Sequence, residues 1–91
     1  MTEDAWAAYR GKIVVVDTDS RIIYMGTLTD VTPEFAKLRD VDVHDGSETT
    51  TSKERYVMDC KRFGVRPNRK EASVRIQTIV GVSLLDDVID Y

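Results

Sequence analysis

The chain has 91 residues, 42% hydrophobic and 32% charged, with a net charge of −3, the profile of one soluble globular domain. At this length folding removes only about two thirds of the surface that the unfolded chain exposes, so the core is thin, a partner subunit is valuable, and a two-lobed enzyme is excluded. A single cysteine, Cys60, and a single histidine, His44, exclude an internal disulfide framework and the usual Cys/His zinc centre.

Thr2 offers an N-cap to the following acids and alanines, and Gly11 offers a stop, which predicts a short helix over 1–11. Lys12 to Asp17 is rich in β-branched residues, Asp17-Thr18-Asp19-Ser20 is turn-forming, and Arg21 to Val31 resumes as a second strand. Gly26 inside it marks a bulge or a sharp bend of the sheet. Pro33 ends that strand. Within Phe35 to Asp45, Val41 and Val43 alternate with Asp40, Asp42 and His44, the pattern of a third strand with one wet face. Gly46 to Ser52 is polar, Thr51-Ser-Lys-Glu54 has the form of a capping box, and Tyr56, Cys60 and Phe63 recur on one helical face ahead of Gly64. Ser52 to Phe63 therefore reads as an amphipathic helix, although Tyr56 to Cys60 is also compatible with a strand. Glu71 to Gln77 and Ile79 to Leu85 are two further β-branched runs. The expected fold is mainly β: one small, strongly bent, five-stranded antiparallel barrel. Its N-terminal helix occupies 1–11, strands 1–3 lie within 12–45, a polar and basic insertion spans 46–70, and strands 4 and 5 with a tail occupy 71–91.

The charge is unevenly spread. Residues 1–52 carry −5, residues 53–75 carry +5, and residues 76–91 carry −3. Lys61, Arg62, Arg66, Arg69 and Lys70 fall within ten residues that contain no acid and surround Phe63, a segment suited to phosphates beside a stacking surface. The simpler reading of it is a solvated loop that balances an acidic body.

Three other constellations bear on chemistry. An apolar strand delivering Asp17 with Asp19 two residues on is similar to the nucleophile motif of haloacid-dehalogenase-like phosphatases. That chemistry needs a doubly wound sheet, which the remaining chain cannot build, so a turn in which Asp17 or Asp19 bonds its own backbone is expected instead. Asp40, Asp42 and His44 would share one face of a straight strand and could ligate a metal, or could simply be its wet face. Cys60 has no base beside it in the sequence and reads as a buried structural thiol. No Ser/His/Asp arrangement, phosphate-binding glycine loop or catalytic carboxylate pair is present, so neither enzymatic activity nor a cofactor is expected. The longest uncharged apolar run, Ile13 to Val16, falls far short of the ~20 residues needed to cross a bilayer. Met1-Thr2-Glu3-Asp4 is acidic where an export signal would be basic, so the expected location is cytoplasmic, with no membrane partner.

From Gly11 to Asp45 the chain resembles the first motif of the Sm and Sm-like proteins. The matching features are Val14 and Val16, the spacing Tyr24-x-Gly26-x-Leu28, then Phe35 and Leu38 leading into an acidic strand, with a helix in front. The segment around Ile76 to Val82 loosely resembles the second motif. The resemblance implies a bent five-stranded barrel whose subunits join strand to strand into rings of six or seven that bind single-stranded RNA, with Phe35 at the base-stacking position. The chain departs from the family at several places: the turn glycine corresponds to Ser20 or Arg21, and the RNA-contacting Asp and Asn fall on Thr32 and Ala36. The Arg-Gly pair of the second motif has only Gln77-Thr78 or Val80-Gly81 as nearest counterparts.

Independently of the resemblance, Ala72 to Ile76 and Ile79 to Leu85 would leave an apolar unpaired edge in a monomer, which edge pairing between copies would remove. The expectation is thus a non-enzymatic, ring-forming RNA-binding protein using Phe35, Lys61, Arg62, Arg66, Arg69 and Lys70. The alternative is an interaction or scaffold barrel that has lost the RNA site.

Overall fold

The computed structural model describes residues 4–46 and 52–89. They form five strands: β1 (Ile13–Thr18), β2 (Ile22–Val31), β3 (Phe35–Asp45), β4 (Arg69–Arg75) and β5 (Ile79–Leu84). One helix, α1 (Lys53–Phe63), separates β3 from β4. The strands make a single antiparallel sheet in the order β4-β3-β2-β1-β5. The described residues are thus mainly β with one α-helix.

Two strands that are neighbours in sequence, β4 and β5, lie on opposite edges of this sheet, joined by a single 3-10 turn (Ile76–Thr78). In a flat sheet four inter-strand spacings would separate the edges by about 19 Å. The four residue steps from Arg75 to Ile79 span at most about 14 Å. The sheet must therefore curl. Side chains of both edge strands, Ala72, Val82 and Leu84 among them, accordingly pack against one inner cluster of Val14, Val16, Leu28, Ala36, Leu38, Val41 and Val74. The expected barrel does not close, however, because no ladder joins β4 to β5. Among the described residues both edges keep unpaired backbone groups.

The register of the sheet shifts at three places, and the one that reassigns the faces of β3 lies between Met25 and Thr27. Thr27 pairs with Arg39 and Met25 with Asp42, so β3 has one more residue than β2 across this step. The extra residue is accommodated with Asp40 at φ 50°, a left-handed conformation that aspartate tolerates better than most residues. Opposite the bulge stands Gly26, where a Cβ would lie 2.9 Å from the Arg39 carbonyl oxygen and 3.2 Å from Val41 Cα. Past the bulge the alternation of β3 shifts by one: Ala36 and Leu38 face the inner cluster before it, Val41 and Val43 after it.

The outer face carries a second cluster, Val15, Ile23, Met25, Val57, Cys60 and Leu85, covered by α1 and the turn Leu85–Asp87. The helix begins one residue later than the capping-box reading implied. Ser52 is its N-cap and accepts from the Arg55 N–H, whereas Thr51 lies outside the described residues. Gly64 closes it at φ 92°.

The helix expected over 1–11 is absent from its described part. Residues 4–12 make successive turns: the Ala7 and Tyr9 N–H groups donate to Asp4 and Trp6 carbonyls three residues back, and Asp4 Oδ1 accepts from Trp6 N at 3.0 Å. That bond, followed by Arg10, holds the exposed Asp4 carboxyl below the usual carboxylate range. So short a segment gains too little from propagation to form an isolated helix. Packing Trp6 and Tyr9 on the inner cluster decides its path instead. Thr2, the expected cap, lies outside the described residues.

Gly26→Ala is expected to lower the unfolding free energy by about 1–3 kcal/mol in urea, because the new methyl overlaps the β3 backbone. Gly81→Ala, where a Cβ meets nothing within 4 Å, is expected to change it by no more than about 0.5 kcal/mol.

Candidate functional site

The structure disperses the residues of the expected RNA site. Lys61 and Arg62 sit in the last turn of α1, where cations suit the helix dipole, and Lys61 Nζ donates to the Asp86 carbonyl. Arg66 lies in the exposed loop after Gly64. Arg69 and Lys70 open the edge strand β4, with Arg69 paired to Val41. Asn68, which the sequence reading passed over, clamps this loop to β3: its N–H donates to the Val41 carbonyl, and its amide exchanges two 3.0 Å bonds with the Val43 backbone.

Phe35 is elsewhere. It begins β3 opposite Arg75, at the far end of the β3–β4 ladder from Arg69. Six residue steps of strand separate the two positions, about 20 Å. The Phe35 ring is half-buried and carries the Arg75 guanidinium 5.7 Å from its centre, so this chain's own cation already occupies one face. The two positions matching the family's RNA-contacting residues are also structural. Thr32 closes the β2–β3 turn, its Oγ1 accepting from Phe35 N at 3.0 Å, and Ala36 is fully buried.

The Asp40, Asp42 and His44 reading is corrected by the bulge. Asp40 is exposed at the irregularity, whereas Asp42 and His44 are 2% and 5% exposed on the outer face beneath α1. The face expected to be wet is covered by the helix. Tyr56 Oη donates to Asp42 Oδ2 at 2.6 Å, the Cys60 thiol lies 3.9 Å from the same oxygen, and the Tyr56 ring stacks on His44 with centroids 3.7 Å apart. Burial first, then the bond to Asp42, pushes the Tyr56 hydroxyl above its ordinary range. Burial and then the Asp42 charge push the Cys60 thiol up to about 11. These side chains stitch the helix to the sheet, and among the described residues no group of three or more His, Cys, Asp or Glu could hold a metal ion. Phe63 shares a helical face with Tyr56 and Cys60, as expected, and lines one pocket with them, but as the last helical residue it is 74% exposed.

Asp17 is also structural. Lys53 Nζ lies 2.7 Å from its carboxylate and 2.7 Å from the Ser20 carbonyl, which pins the start of α1 to the β1–β2 turn. Thr18 Oγ1 donates to Ile22 O at 2.7 Å within that turn. The turn is held by the Thr18 and Ser20 hydroxyls, in place of the expected bond from Asp17 or Asp19 to its own backbone.

What the fold leaves available is its two edges. β4 carries Arg69, Lys70, Glu71 and Arg75, whereas β5 has no charged residue from Ile79 to Leu84 and exposes Val80 at 66%. Acids flank β5 at both ends: Asp86 and Asp87 follow it, and Asp19 is held beside its start by a 2.9 Å bond from its N–H to the Thr78 carbonyl. Beside β5 a groove of about 560 Å³ runs between the sheet, α1 and residues 87–89.

No family model matches the chain, and no curated protein does. Among solved structures, it is similar to a chain of the crystal structure of the NatC complex bound to CoA, with a TM-score of 0.58 and 18% identity over 92% of this chain and 88% of that chain. At that identity the likeness shows a shared fold. No helix among the described residues is long and apolar enough to cross a membrane.

Tyr56→Phe is expected to cost about 1–3 kcal/mol in urea unfolding, since it leaves the buried Asp42 carboxylate with only the weak Cys60 thiol donor. Because the folded Cys60 thiol titrates near 11 rather than near 9, the stability it contributes is whole below pH 9 and is lost between 9 and 11. Unfolding curves from pH 8 to 11 should show that decline, and Cys60→Ala should abolish the part between 9 and 10, before Tyr56 contributes.

Proposed function

We propose that this chain is a non-catalytic, Sm-like assembly module that joins other subunits strand to strand through β4 and β5. The observation that carries the reading is the open sheet: five strands curl far enough to bring their edges together across one turn, yet both edges stay unpaired. An uncharged edge such as β5 is a ready template for another strand. The charges favour self-association. With β4 of one copy antiparallel to β5 of the next, Arg69 and Lys70 lie beside Asp86 and Asp87, and Arg75 lies beside Asp19. Such a contact is heterologous, so repeated copies close into a ring or run on as a filament. The fold shared with a chain from a multiprotein complex supports an assembly role.

RNA binding by such a homo-oligomer is the second reading, favoured by the exposed cations Arg66, Arg69 and Lys70 around the start of β4. Phe35 does not join that surface, so binding would rest on phosphates and would be indifferent to sequence. Both readings suit a cytoplasmic protein without a cofactor.

Native mass spectrometry of the untagged protein is expected to show an oligomer. Val80→Lys, which puts a charge on the exposed edge without entering the core, is expected to shift it to monomer. A monomeric wild type at micromolar concentration would overturn the reading. Extra mass removed by ribonuclease, together with at least about tenfold weaker oligoribonucleotide binding in the Arg66, Arg69 and Lys70 triple alanine variant, would establish the second reading. Absence of that mass, with no binding at low salt, would leave the assembly module alone.

A further inference from the structure

Among the described residues, two of the four large exposed apolar side chains, Ile89 and Phe63, fall into two charge-matched groups. Ile89, exposed at 75%, lines the groove beside β5. Its apolar lining includes Val57, Met58 and Val88, its rim carries the exposed acids Glu54 and Asp87, and its third acid, Asp17, is neutralised by Lys53. Gly81 leaves the floor open. Phe63, 74% exposed, forms the other group at the opposite end of α1, with the exposed cation Arg66 three residues on. An exposed aromatic ring beside a cation is the kind of side chain that anchors an interface, and an apolar pocket with an acidic rim is its complement.

The two groups do not meet within one molecule: Phe63 is 74% exposed and is not among the residues that line the groove. They can meet between copies. Phe63 to Asn68 is the segment that leads into β4. In the antiparallel β4–β5 arrangement proposed above it arrives beside the end of the neighbour's β5, where Asp87 and Ile89 stand.

We infer that Phe63 of one copy seats in the groove between β5 and α1 of the next, with Arg66 facing the acidic rim. This rests on the strand-to-strand reading and extends it, giving the joint a side-chain anchor off the sheet edge. The ring covers the apolar groove, and the contact is again heterologous, so every copy offers one anchor and one groove.

Sedimentation equilibrium tests it. Phe63→Ala, which removes the anchor, and Gly81→Leu, which fills the groove where the fold has room, are each expected to weaken association by at least about tenfold. Ile89→Asp serves the same purpose should Gly81→Leu disturb folding, as circular dichroism would reveal. Mixing Phe63→Ala with Gly81→Leu restores one intact anchor and groove per pair, so discrete dimers should form that neither variant makes alone. If Phe63→Ala and the groove variants assemble like wild type while Val80→Lys is monomeric, the anchor is wrong and the edge pairing stands. If wild type is itself monomeric, both fall together.

Discussion

Three residues constrain most of this molecule. Ile76–Thr78 carry the chain from β4 on one edge of the sheet to β5 on the other, and so short a link cannot reach across five flat strands. Curling gives a chain of this size an enclosed inner face, lined by Val14, Val16, Leu28, Ala36, Leu38, Val41 and Val74. The same constraint leaves two edges close together in space and unpaired, which is the geometry from which the proposed assembly follows.

The curl in turn depends on a defect placed in the middle of the sheet. The extra residue in β3, taken up at Asp40, and the missing side chain at Gly26 let β2 and β3 approach and bend. That defect also reassigns the faces of β3. By shifting the alternation one position, it buries Val41 and Val43 inward and turns Asp42 and His44 to the outside, where α1 covers them. The polar residues that a straight strand would offer to solvent or a metal become the attachment of the helix. Asp42, Tyr56 and Cys60 share one carboxylate oxygen, and Lys53 on Asp17 holds the other end. A polar network so used is committed to structure, which is the physical argument against chemistry at this place.

Charge follows the same division. The cations of β4 and its leading loop lie on one side of the open seam and the acids around β5 on the other. An edge with charges of its own resists indiscriminate pairing, whereas an uncharged edge invites it. One edge of each kind is suited to a directed contact between unlike edges.

Much of the fold was legible in the residues. The five β-branched runs, the helix ending at Gly64 and the bend at Gly26 depend on local propensity, periodicity and the absence of a Cβ, all of which the chain displays directly. The sites were not legible, because they depend on register and coverage. Nothing local shows that Asp40 takes up an extra residue, that α1 folds over the outer face, or that Phe35 and Arg69 stand at opposite ends of one ladder. The N-terminal turns were misread for a related reason: helix-favouring residues 4–10 are too few to hold a helix, and burial of Trp6 and Tyr9 governs them. The sequence by itself determined which segments are strands and helix, since those choices are made within a few residues. Only the tertiary structure decided which faces are buried and which edges stay open, since those depend on pairings between residues far apart in the chain.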